Sequence, residues 1–164
     1  MARGNGNGDI ITAWLRDAYA MEKALVPVLE NHAKDASAHP AVRARMEQHA
    51  IETQRHAQLV EQCLRQLGEE PSTVKNTMAK VTGAIQSVAS SAFKDDEVKN
   101  ALSDFATENF EIACYKALIE AGRAMQRDEI VQVCEQILRE EESMARFLEQ
   151  NLPTTVRDAL AVTV

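Results

Sequence analysis

Apolar side chains recur along this chain at alternating intervals of three and four residues, the spacing that keeps one face of a helix turned the same way. The first run is Leu15, Ala18, Leu25 and Leu29, with Glu22 occupying the position between Ala18 and Leu25. It predicts a helix from an N-cap at Asp9 to about residue 35. A bend is expected just after Glu22, because Pro27 lacks the N–H that would bond the Lys23 carbonyl. A second run, Val42, Met46, His49, Glu52, His56, Leu59 and Cys63, predicts a helix with Pro40 at its first position, closed near Leu67 by Gly68. The third carries Asp104, Glu108, Glu111, Tyr115 and Leu118 on one face; Asp95, Asp96 and Glu97 open it, and it reaches about Arg123. The fourth, from about Asp128 to Asn151, carries Ile130, Cys134, Ile137, Glu141, Met144 or Ala145, and Leu148 before Leu152 and Pro153 stop it. No segment shows the two-residue alternation of a strand.

The connections set the topology. Short turns at residues 35–40 and 125–128 make antiparallel hairpins of helices one and two and of helices three and four. Residues 72–92 are too long for a bare loop and carry Val74, Met78, Val81, Ile85 and Val88, so a short crossover helix is expected there. A connection of that length travels the whole bundle and makes helices two and three parallel. The fold class is therefore all-α: a four-helix up-down bundle with a long crossover carrying a short fifth helix. Residues 1–8, rich in Gly and Asn, read as a flexible leader, 9–152 as the bundle, and 153–164 as a tail with a single helical turn.

Composition narrows the function. The chain of 164 residues is long enough for one domain with a real core. Its net charge of −7 argues against nucleic acid or an anionic membrane as partner, and no apolar run is long enough to span a bilayer. Cys63, Cys114 and Cys134 are widely spaced on helices, which fits reduced, packed thiols in a cytoplasmic protein. Apolar positions beyond the needs of one seam, Ile11, Trp14 and Val26, point to a homodimer.

The informative feature is acid on apolar seams. Glu22 and Glu52 are separated by 30 positions, as are Glu111 and Glu141, and the midpoint of each pair is a turn. Across two packed hairpins these four carboxylates would share one layer. Buried carboxylates cost several kcal/mol each unless neutralised, and a pair of divalent metal ions would neutralise them. His49 and His56 flank Glu52 on one strip, and imidazole with carboxylate suits iron or manganese. Tyr19 and Tyr115 are possible hydrogen-bond partners of the acids, whereas His32, His39, Glu140 and Glu142 are expected in solvent.

The stretches 15–23 around Tyr19 and Glu22, 48–53 around His49 and Glu52, 108–115 from Glu108 to Tyr115, and 137–142 ending in three glutamates resemble the ferritin-like YciE/YciF family of bacterial proteins linked to stress. The resemblance implies a di-metal carboxylate centre. It departs from the usual di-iron pattern, which repeats Glu-x-x-His on two helices: Arg55 follows Glu52 and Met144 follows Glu141 at that interval. On this basis Glu52 and Glu141 are expected to bridge, with Glu22, Glu111, His49 or His56, and Glu108 as terminal ligands. The activity implied is ferroxidase-like or peroxide-consuming, with dioxygen or peroxide as the small oxidant. The competing expectation is a non-catalytic bundle whose acids pair with Arg16, Arg55, Arg139 or Arg146.

Overall fold

The computed structural model describes residues 5–36, 39–71, 83 and 95–162. Among the described residues, four helices make up the bundle: α1 (Asn5–Asp35), α2 (Pro40–Gln66), α3 (Asp96–Ala124) and α4 (Asp128–Val162). Helix α1 packs along α2 and α3 along α4, while α1 also meets α3 and α2 meets α4. The contacts Glu22–Tyr115 and His32–Asp104 run in opposite senses along α1 and α3, so those two are antiparallel. With both hairpins antiparallel, α2 and α3 run parallel, as the length of the connection required. The fifth helix expected over 72–92 lies outside the described residues, apart from Gly83.

The helix ends follow local chemistry. Asp95 caps α3 by accepting the Val98 N–H at 3.0 Å, with Asp96 and Glu97 in the first turn. Gly68 ends α2 with φ at 76°, its N–H donating to the Arg65 carbonyl and that of Glu69 to Leu64, each at 3.0 Å. The α3–α4 turn repeats this arrangement with Gln126 at φ 56°, a conformation that costs an L residue about 1 kcal/mol.

Two boundaries differ from expectation. Helix α1 begins at Asn5, ahead of the Asp9 cap, and α4 runs through Pro153 to Val162 instead of stopping there. A proline inside a helix costs about 3 kcal/mol, and packing offsets it in both places. Leu25 and Leu29 are buried on either side of Pro27, and Thr155 is buried beyond Pro153. Around Pro153, Asn151 Nδ2 donates to the Phe147 carbonyl at 2.8 Å and Thr155 Oγ1 to the Asn151 carbonyl at 3.3 Å. The extension lies over the α1–α2 end, where Asp158 approaches His39 at 3.7 Å.

Apolar packing forms two clusters. One gathers Ile11, Leu15, Met21, Leu25, Val60, Leu64, Leu118, Ile130 and Ile137; the other Leu29, Ala33, Met46, Ala50, Met144 and Leu148. Ile11, expected at the surface, is 1% exposed, and Trp14 remains exposed at 44%. None of the described helices is long and apolar enough to cross a membrane. Cys63 and Cys134 are buried and Cys114 half-buried, all unpaired; burial pushes the first two thiols up to about 11 and about 12.

The α3–α4 hairpin depends on a close approach. A Cβ on Gly122 would sit 2.8 Å from Val131 Cγ2, and valine has little rotamer freedom with which to retreat. Gly122→Ala should therefore destabilise the chain by about 1–3 kcal/mol. Urea unfolding read by far-ultraviolet circular dichroism will measure the loss, which should come with unchanged native helicity.

Candidate metal centre

Between the two apolar clusters the bundle carries a polar layer built from all four helices. Helix α1 contributes Glu22, α2 His49 and His56, α3 Glu108 and Glu111, and α4 Glu141; none is more than 2% exposed. The seam spacing explains the placement. Asp104, Glu108, Glu111, Tyr115 and Leu118 alternate by four and three along α3, and all are buried. The same alternation along α4 runs through Ile130, Cys134, Ile137, Glu141, Met144 and Leu148.

Two sets of ligand-bearing groups form within this layer. Glu22, His56 and Glu141 offer one trio, and His49, Glu108 and Glu141 the other, with the donor atoms of each within 4.8 Å of one another. Glu141 belongs to both. Its Oε1 lies 2.8 Å from His56 Nδ1 and its Oε2 lies 3.4 Å from His49 Nε2. His49 Nε2 is also 3.1 Å from Glu108 Oε1, and His56 Nδ1 is 3.6 Å from Glu22 Oε2. The two imidazole centroids are 6.5 Å apart.

Several of these atoms are close without being hydrogen-bonded. Among the described residues, the buried side-chain atoms lacking a partner are Glu22 Oε2, His49 Nε2, His56 Nδ1, Glu108 Oε2, Glu111 Oε1 and both oxygens of Glu141. Every one belongs to the six groups of the layer. An orphaned buried polar atom costs about 1–3 kcal/mol, so such a concentration marks atoms that converge on a shared point instead of on each other. Carboxylate oxygens and imidazole nitrogens converging in this way fit a divalent transition metal.

The outer faces of both histidines are anchored. His49 Nδ1–H donates to Glu52 Oε2 at 3.1 Å, and Glu52 is held by Arg45 at 3.0 Å. His56 Nε2–H donates to Glu140 Oε2 at 2.8 Å, and Glu140 is gripped by Arg55. A carboxylate on one ring nitrogen leaves the opposite nitrogen free to bind inward. The two histidines therefore present different atoms, Nε2 from His49 and Nδ1 from His56. Tyr115 O–H donates across the bundle to Glu22 Oε1 in a buried bond.

Glu52 is thus not one of the inward acids. Its side chain is 21% exposed, and strict alternation shows why. From Met46 and His49 the buried positions continue to Thr53, His56, Val60 and Cys63. Placing Glu52 on the seam would require two three-residue steps in succession, which rotate it off the face. The layer's fourth carboxylate is Glu108. Glu140 escaped the sequence reading because nothing in its neighbourhood distinguishes it from Glu142; only the position of His56 on another helix gives it a role. Arg55 points outward to Glu140, Arg16 pairs with Glu69 at 2.5 Å, and Arg139 and Arg146 are exposed. Tyr19 is half-buried against the larger apolar cluster. His32 is buried, not solvated, with Nδ1 2.6 Å from Asp104 Oδ1, while His39 lies half-buried 3.2 Å from Glu97.

Electrostatics follow from this enclosure. Burial raises the Glu22 carboxyl and lifts Glu108 to about 8. Glu111 rises well above the usual range, through burial and then the charges of Glu141, Glu22 and Glu108. Burial alone would discharge the imidazoles. Glu108, Glu52 and Glu141 instead lift His49 to about 10, and Glu141 with Glu22 lifts His56 to about 11. The bond from His49, aided by Arg45, holds Glu52 down at about 2.

A family model described as "Domain of unknown function (DUF892)" matches residues 7–161. Among solved structures, the chain is similar to a protein from Xanthomonas campestris pv. campestris, at 31% identity over 96% of this chain and 97% of that chain, with a TM-score of 0.82. It is also similar to the E. coli stress protein YciF, at 18% identity, 94% and 99% coverage and a TM-score of 0.79. A third likeness is to the Desulfovibrio desulfuricans bacterioferritin, a protein with a diiron site, at 20% identity, 92% and 83% coverage and a TM-score of 0.74. The last two share the fold.

The titrations give a signed expectation for the metal-free chain. Glu108 and Glu111, raised in the fold, hold protons that the unfolded chain loses above about pH 4.5, so their contribution falls as pH rises. His49 and His56, also raised, stabilise below their unfolded value of about 6.5 and lose that contribution as pH climbs toward their folded values. Glu52, lowered, stabilises above about pH 4.5 and loses its contribution below it. After chelation, the melting temperature should peak near about pH 4–5 and decline steadily toward pH 9. Calorimetry across that range will read it, and a flat or rising profile would contradict the assignment.

Proposed function

The chain belongs to the DUF892 family, the ferritin-like YciE/YciF proteins, and we propose that it holds two divalent metal ions, iron or manganese, between its four helices. The carrying observation is that two ligand trios share Glu141 while, among the described residues, the buried side-chain atoms without a hydrogen bond all belong to this layer. Four buried glutamates, Glu22, Glu108, Glu111 and Glu141, carry a formal charge that two divalent cations would cancel. Glu22 and His56 would hold one ion, Glu108 and His49 the other, with Glu141 between them and Glu111 supplying a further carboxylate.

Such a pair of ions, when bound, supplies redox chemistry toward dioxygen or peroxide. The rest falls to the chain. Glu52 with Arg45 and Glu140 with Arg55 fix the imidazole orientations. Tyr115 steadies Glu22, and the larger apolar cluster keeps bulk water from the side of Glu22 and His56. His49 and His56 release protons when they become ligands, so affinity should grow with pH. The activity this supports is ferroxidase-like or peroxide-consuming, in a stress response.

A metal-free structural bundle is the competing reading, favoured by one observation: His49 and His56, held charged, can themselves offset buried carboxylates. No lysine or arginine contact to Glu22, Glu108, Glu111 or Glu141 occurs among the described residues.

Elemental analysis after reconstitution with Fe2+ or Mn2+ under anaerobic conditions separates the two. About two ions per chain are expected, with Glu141→Ala falling to near zero. Glu52→Ala should keep a centre of about 10- to 100-fold weaker affinity, as loss of a ligand's outer anchor does. A wild-type chain that stays empty, with Glu141→Ala changing stability alone, would establish the structural bundle.

A further inference from the structure

Each end of the bundle carries a pocket, and the two differ in what lies between the pocket and the polar layer. On the side of Glu22 and His56, the cluster of Leu15, Val60, Leu64, Ile130 and Ile137 separates the polar layer from a pocket of about 330 Å3 beside Arg127, Asp128 and Glu129. On the side of Glu108 and His49, between the α1–α2 turn and helices α3 and α4, there is a cavity of about 40 Å3, room for roughly three waters. Its wall carries Asp35, Glu97 and Asp104 together with His32 and His39. No lysine or arginine is among the described residues lining it. Asp158 adds a further acid beside His39.

Its inner wall lies near the centre. Asp104 stands four residues before Glu108 on α3 and Met46 three before His49 on α2, a helical rise of about 6 Å or less. There His32 and Asp104, from different helices, meet at 2.6 Å, both buried beside the cluster of Leu29, Ala33, Met46 and Leu148. A buried imidazole–carboxylate pair is a costly way to join two helices that apolar side chains could join instead. It is a good way to receive a cation that has shed part of its water, since both groups are ligands for the same metals as the centre.

We infer that this cavity is the loading route of the centre: a hydrated divalent cation is drawn to the acids at its mouth, and His32 and Asp104 take it as transient ligands before His49 and Glu108 do. The inference rests on the dinuclear reading above. It differs in what it predicts, because a route governs rates and leaves the final content of metal unchanged. The mouth's acids concentrate cations by field alone, and the wall pair supplies the ligands that replace lost water.

The test mixes metal-free full-length protein with Co2+ alone and follows the ligand-field absorbance in a stopped-flow instrument, with bound cobalt measured at the end. Asp104→Asn, which keeps volume and a bond to His32 while removing the charge, should slow loading on the order of ten-fold and reach the wild-type cobalt content. Ala101→Phe, filling the cavity from its wall, should slow loading likewise; it carries the test should Asp104→Asn fold poorly. Glu129→Gln, at the opposite end of the bundle, should load at the wild-type rate. Wild-type rates in both Asp104→Asn and Ala101→Phe overturn the route, and so does a lower final cobalt content in Asp104→Asn with unchanged rate, which would make Asp104 a ligand of the centre. A wild-type chain that takes up no Co2+ at all overturns the dinuclear reading, and the route with it.

Discussion

Carboxylates enclosed by hydrocarbon are the constraint from which the rest of this structure follows. Four glutamates lie at or below 2% exposure in the middle of a bundle whose remaining interior is largely aliphatic. Ionised and alone, such groups would cost more than the few kcal/mol by which a domain of this size is held folded. The bundle tolerates them because each faces a histidine or another group able to share a proton or a cation. The raised carboxyls and raised imidazoles are two aspects of one crowded site.

The surroundings of the layer serve its orientation more than its stability. Each histidine is held from outside by a carboxylate that is itself held by an arginine, and these ion pairs sit at the margin of the bundle. Margin ion pairs contribute little to stability. Their effect is geometric: they settle which ring nitrogen faces inward. That a Glu-x-x-His repeat is missing from α2 and α4 therefore does not leave the centre short of imidazole. Both rings come from α2, seven residues apart, with His56 one position beyond the Arg55 that stands where the repeat would place a histidine, and Glu141 approaches both.

The two ends of the bundle divide the remaining work. One carries the larger apolar cluster and makes the bundle cohere. The other holds a thinner cluster, a small cavity with His32 and Asp104 in its wall, and the long end of α4 over the turn between α1 and α2. An inner site closed on every side would be inert, and one open to water would lose the low dielectric that strengthens its interactions. Thick apolar packing on one side of the layer and a thin cluster with a buried imidazole–carboxylate pair on the other reconcile these needs.

Alternation by three and four was sufficient in the sequence to give four helices, their hairpin pairing and the parallel run of α2 and α3, because helix periodicity and connection length are local properties. It also placed Glu22, Glu108, Glu111, Glu141, His49 and His56 on inward faces, since a charged residue in an apolar stripe has nowhere else to point. It misjudged Glu52, where equal spacing in the two halves suggested a symmetry that the phase of α2 does not keep. The continuation of α4 past Pro153 and the buried pair of His32 and Asp104 were decided by contacts between segments far apart in the chain. So were the anchoring of His56 by Glu140 and the bond from Tyr115 to Glu22. A sequence shows which face a side chain takes; which group meets it there depends on helix rotation and height, and only the packed bundle fixes those.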